Sequence, residues 1–81
     1  MAVAPNPTNG DAYVILSDAA YSVAQITVTD ITGKVVYRTS QALSANEARI
    51  LIPHEAIAVP GMYIVQAATG NQVHTRKLMV Q

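Results

Sequence analysis

The side chains able to do chemistry are few and far apart. His54 and His74 are the two histidines of the chain, whereas a zinc site needs three or four ligands converging on one point. One follows Pro53 and the other lies in a strand-like run, so both read as turn or surface residues. Asp11, Asp18, Asp30, Glu47 and Glu55 are scattered. Asn6, Asn9 and Asp11 alone come close together, and a calcium site asks for more oxygen ligands than these. Serine, histidine and aspartate all occur, but without a strained nucleophile turn. Gly10, Gly33, Gly61 and Gly70 stand singly, so no loop is built to cradle a phosphate. The residues predict no catalytic group, no metal site and no cofactor, and shift attention to shape.

The elements that would carry such a shape read as strands. Ala24 to Asp30 alternates, with Ala24, Ile26 and Val28 on one face and Gln25, Thr27 and Thr29 on the other, the period of a half-buried strand. Asp30 to Gly33 reads as a tight turn. The Asp30 carboxylate can bond the backbone two residues on, and Gly33 supplies the positive φ of a type I turn with a bulge. Lys34 to Thr39 then returns antiparallel, with Val35 and Tyr37 expected inward and Val36 outward. Ala12 to Ser17 is an earlier strand, apolar on both faces. Gln41 to Glu47 reads as a polar connection, and Ala48 to Ile52 as a short strand with Ile50 and Ile52 inward. His54 to Val59 has room for one helical turn before Pro60 and Gly61 stop it. Met62 to Ala68 and Val73 to Val80 form a hairpin around Gly70 and Asn71, with Tyr63, Val65 and Ala67 inward. In the last strand, alternation puts His74 and Arg76 on the face of Leu78 and Val80. A bulge or an edge position would resolve that conflict.

Seven or so short strands, with turn signals every 8–12 residues or so, predict an all-β fold, an immunoglobulin-like β-sandwich of mostly antiparallel strands. The chain has 81 residues, enough for one domain. Residues 1–4 read as a linker and 5–81 as the domain. Apolar residues make up 51%, too many for a disordered tail. With no Trp and no Phe, the core falls to Val, Ile, Leu, Ala and the four tyrosines, Tyr13, Tyr21, Tyr37 and Tyr63. The formal net charge is zero and 12% of residues are charged, which speaks against nucleic acid and against a polybasic membrane anchor. Absence of cysteine removes disulfides and thiolate metal sites. The first residues lack the basic start and apolar stretch of a signal peptide. The expectation is a domain cut from a larger exported protein, with the export signal upstream.

Four landmarks occur in order: Pro5, Asn6, Pro7 and Gly10; Asp30, Gly33 and Lys34, followed by Val36 and Tyr37; Gly61 and Tyr63; and Lys77, Leu78, Val80 and Gln81. Together they resemble the C-terminal sorting domains of cargo for bacterial type IX secretion, over nearly the whole of Pro5 to Gln81. Two positions depart from the family pattern: Ala58 stands where a leucine is frequent, and Gln81 closes the chain where a basic residue often does.

The resemblance implies an address that directs a cargo from the periplasm to the outer membrane, the cell surface or the medium. It implies an upstream cargo domain, an outer-membrane translocon that reads the fold, and a sortase-like protease that removes the domain ahead of its first strand. The landmark residues would be the recognition set. The terminal strand from Val73 to Val80 is the expected docking edge, with the carboxylate of Gln81 assisting, and a free edge would also let two copies pair. Two other classes stay open: a fibronectin- or immunoglobulin-like spacer or adhesion module, and a carbohydrate-binding module, which would want exposed aromatics.

Overall fold

A computed structural model describes residues 1–17, 23–42, 47–70 and 72–81. Asp18, Tyr21, Asn71 and the side chain of Glu47 therefore lie outside the described residues, as does most of the expected Gln41 to Glu47 connection. The elements run β1 (Ala2–Ala4), β2 (Ala12–Ser17), β3 (Val23–Asp30), β4 (Val35–Ala42), β5 (Glu47–Ile52), a 3-10 turn at His54–Ile57, β6 (Gly61–Thr69) and β7 (Gln72–Val80). Two sheets result, β1-β2-β5 and β4-β3-β6-β7. Each named strand pair is antiparallel. This is an all-β sandwich of immunoglobulin-like order.

Alternating faces supply the core. Ala12, Val14 and Leu16 of β2 and Ile50 and Ile52 of β5 meet Ala24, Ile26 and Val28 of β3, Tyr63, Val65 and Ala67 of β6, and Leu78 and Val80 of β7. Burying a large aliphatic side chain here contributes about 1.5–3 kcal/mol. Ile57 plugs the end of the sandwich from the 3-10 turn, fully buried. On the outer face of the smaller sheet, the Arg49 guanidinium lies 5.8 Å from the centre of the Tyr13 ring.

Three strands differ from the sequence expectation. Ala2–Ala4 pair with Tyr13–Ile15 as a strand, where three small apolar residues before a proline carry no readable period. In β4, Val28 faces Tyr37 but Thr29 faces Val35. The extra residue is a bulge, so the adjacent Val36 and Tyr37 both pack against the core and Val35 is left exposed. The expected inward pair of Val35 and Tyr37 is thus corrected to Val36 and Tyr37. In β7 the register with β6 runs unbroken from Gly61↔Val80 to Thr69↔Gln72. The polar residues on its inner face are tolerated because β7 is an edge strand. There His74 is half-buried and Arg76 exposed.

Candidate functional site

The chain begins in one sheet and crosses to the other. After pairing with β2, it passes through Pro5, Asn6 and Pro7 and lies along the outer edge of β7. The Thr8 N–H donates to the Met79 carbonyl at 2.9 Å, and the Gln81 N–H donates to the Thr8 carbonyl at 2.8 Å. Those two bonds flank Val80 and make a parallel bridge. Two residues earlier on β7, the side chain of Asn6 repeats the pattern. Its Nδ2 donates to the Lys77 carbonyl at 2.8 Å, and its Oδ1 accepts from the Met79 N–H at 3.0 Å. The Asn6 carboxamide therefore stands in for a peptide group and takes the ladder step at Leu78, and the Thr8 backbone takes the step at Val80.

The residue types follow from this job. A carboxamide carries both a donor and an acceptor, as a peptide does. Pro5 and Pro7 have no N–H to leave unpaired on an edge, and Pro7 biases Asn6 towards extended backbone. Thr8 is the buried polar residue among those described. Its Oγ1 donates to the Asp11 carbonyl at 2.9 Å and accepts from the Gly10 N–H at 3.2 Å, closing a turn on its own hydroxyl. Asp11 Oδ1 then accepts from the His54 N–H at 2.8 Å, which ties this turn to the 3-10 segment.

The Asp30 turn forms as its residues dictate. Asp30 Oδ1 accepts from the Thr32 hydroxyl at 2.6 Å, the Thr32 N–H at 2.9 Å and the Lys34 N–H at 3.0 Å. Gly33 sits at φ +92° and donates its N–H to the Asp30 carbonyl at 3.0 Å. The Thr32 hydroxyl bond, joined by the Lys34 and Thr32 N–H bonds and the Lys34 charge, holds the carboxyl below its ordinary range, against a smaller opposing effect of desolvation. At the start of β6, Gly61 has φ +146°. Tyr63, buried in the core, donates its hydroxyl to the Val59 carbonyl at 2.6 Å, a tyrosine corner of the immunoglobulin-like kind.

The registers bring these motifs together. Asp30 stands opposite Tyr63, Tyr63 opposite Leu78, and the Asn6 carboxamide brackets Leu78. One row across the sheet thus joins a residue from each of the four sequence landmarks. Gly61 faces Val80, which faces Thr8. Pro5, Asn6, Pro7, Gly33, Lys34, Gly61, Lys77 and Gln81 are exposed, whereas Tyr63, Leu78 and Val80 belong to the core. Gly10 and Asp30 are intermediate. Ile31 and Val59, 81% and 72% exposed, border a shallow groove at the same pole together with Lys34, Val36 and Met62.

A family model described as a secretion system C-terminal sorting domain matches residues 2–81, the whole of the folded unit. The chain belongs to that family. It is a type IX secretion sorting signal, from a family of signals rather than catalysts, and its cargo is exported to the outer membrane, the cell surface or the medium. No curated protein and no solved structure matches it.

Within the sorting domain, the terminal strand differs from the expected free edge. Its lower half, Lys77 to Gln81, is occupied by Asn6 and Thr8 of the same chain. Thr8, Met79 and Arg76 were not marked by sequence as site residues. A hydroxyl two residues before a glycine could have marked the Thr8 turn, but nothing local pairs a residue with a strand 71 positions away.

Proposed function

We propose that the outer-membrane translocon reads the folded domain at the pole where the four landmarks meet, and that the cargo is attached upstream of β1. The observation that carries this reading is the row Asp30, Tyr63, Leu78 and Asn6. A tag read as a linear peptide would have no need to gather residues from both ends of the chain. Tyr63, Leu78 and Val80 act by holding the shape. Pro5, Asn6, Pro7, Gly10, Asp30, Gly33, Lys34, Gly61, Lys77 and Gln81 present it, beside the exposed apolar side chains of Ile31 and Val59, a combination common at protein contacts. The domain acts as an address and carries no reaction of its own. It passes through the periplasm folded, and a sortase-like protease then cuts ahead of β1.

Fusing residues 1–81 behind a periplasmic reporter in a type IX-competent host tests the reading. The reporter is expected at the surface or in the medium, and deleting the last five residues is expected to hold it in the periplasm. Normal delivery after that deletion overturns the proposal. An immunoglobulin-like spacer is the second reading, favoured by the strand order alone; delivery of the reporter is an outcome that a spacer does not produce.

A further inference from the structure

The upper half of β7 is an open edge with a defined chemistry. Along a strand, the N–H and C=O of one residue point to one side and those of the next to the other. Lys77, Met79 and Gln81 use their backbone groups on the outer side, so those of Val73 and Thr75, and the Lys77 N–H, point the same way. Among the described residues, one hydrogen bond engages them: Arg76 Nη1 donates to the Thr75 carbonyl at 2.8 Å. The guanidinium folds over the edge as a charged guard of the kind that protects free strands. Val73 beside it is 60% exposed.

The charged side chains of β7 itself are Arg76 and Lys77, both basic and both exposed. We infer that the Val73–Lys77 edge takes an extended acidic segment of a partner protein as a fifth strand of the β4-β3-β6-β7 sheet. A carboxylate on that segment draws the Arg76 guanidinium off the Thr75 carbonyl into a charge-assisted pair, stronger than the neutral-acceptor bond it replaces, and frees the carbonyl for the incoming N–H. A neutral strand offers Arg76 no such exchange. The Asn6 carboxamide fixes where the added strand stops, since the Lys77 carbonyl and Met79 N–H are already engaged. The inference extends the sorting reading by naming the chemistry of one contact, and rests on that reading for the partner's place in secretion.

The probe is a fluorescent peptide, Thr-Glu-Val-Glu-Val-Glu-Thr with blocked ends, compared with its lysine counterpart by anisotropy against the 81-residue chain. Binding of the glutamate peptide alone is expected, with slowed exchange of the Val73, Thr75 and Lys77 amides and unchanged exchange at Met79 and Gln81. Thr75→Pro removes an outward donor and leaves the β6 ladder intact; it should weaken binding about tenfold. Arg76→Glu, at an exposed position, should abolish the preference for glutamate and serves if the proline variant does not fold. Equal binding of both peptides, or binding of anionic vesicles that Thr75→Pro leaves unchanged, overturns the inference. Export of the reporter fusion is scored in parallel. Normal export by a variant that has lost the peptide removes this edge from delivery and leaves the sorting reading standing. Lost export with peptide binding intact overturns the sorting role assigned to the edge.

Discussion

Thr8 and Val80 form a parallel bridge in a domain whose named strand pairs are all antiparallel. The bridge ties the first landmark to the last strand, so the two ends of the domain are one structural unit. Damage to either end should therefore be felt at the other.

Asn6→Ala removes both carboxamide bonds to β7. Each is worth about 0.5–1.5 kcal/mol net, so a loss of about 1–3 kcal/mol is expected, read as a lower Tm. Asn6→Asp keeps an acceptor for the Met79 N–H but sets a carboxylate against the Lys77 carbonyl in place of the donor. It should cost at least as much at neutral pH and recover part of the loss in acid, where the protonated carboxyl can donate again. Faster exchange of the Met79 amide should mark the alanine variant. An unchanged Met79 exchange rate would show that the amide does not depend on this bond.

Asp30 gives the domain an acid-sensitive turn. Its folded pKa lies below the ordinary value, so the folded state favours the carboxylate. The stabilisation is present at pH above the unfolded value of about 4 and is lost as pH falls through the lower folded one. The Tm of the wild type should fall between neutral pH and about pH 3 more steeply than that of Asp30→Asn. Parallel curves would remove the turn from the acid response.

Tyr63→Phe tests the corner apart from the core. The ring stays packed and the bond to the Val59 carbonyl goes, for a cost of about 1 kcal/mol. Tyr63→Ala also empties the ring's place in the core and should cost about 3–5 kcal/mol. Equal losses in the two variants, measured by urea unfolding, would mean that the hydroxyl carries the whole contribution of Tyr63.

Much of the fold was legible because local pattern and burial agree. Ala24, Ile26 and Val28 alternate and are buried, and Asp30 with Gly33 announces its turn through side-chain chemistry that needs no distant partner. What could not be read is non-local or breaks the period. The bulge at Val35 to Tyr37 shifts the inward face by one residue. The inner-face polar residues of β7 depend on strand order in the sheet. The landmark residues were visible as a set, but their division into shape-holding and exposed members was not. Leu78 and Lys77 are neighbours in sequence, and the pairing of Tyr63 with Leu78 decides which of them faces the core.

That division yields the sharpest test of how the address is read. Leu78 is fully buried, so Leu78→Ala should cost about 2–5 kcal/mol and reduce delivery of the reporter through loss of fold. Lys77 is exposed and its backbone carbonyl, not its ammonium, is what Asn6 holds. Lys77→Glu should leave stability within about 0.5 kcal/mol. If the translocon reads the surface of this pole, the glutamate variant is folded and yet poorly delivered. If it reads nothing but the presence of a folded sandwich, delivery follows Tm across all variants and Lys77→Glu is exported like the wild type. Surface delivery plotted against Tm for the wild type, Tyr63→Phe, Leu78→Ala and Lys77→Glu separates the two, because a surface-read address places Lys77→Glu below the line that the wild type and the two core variants define.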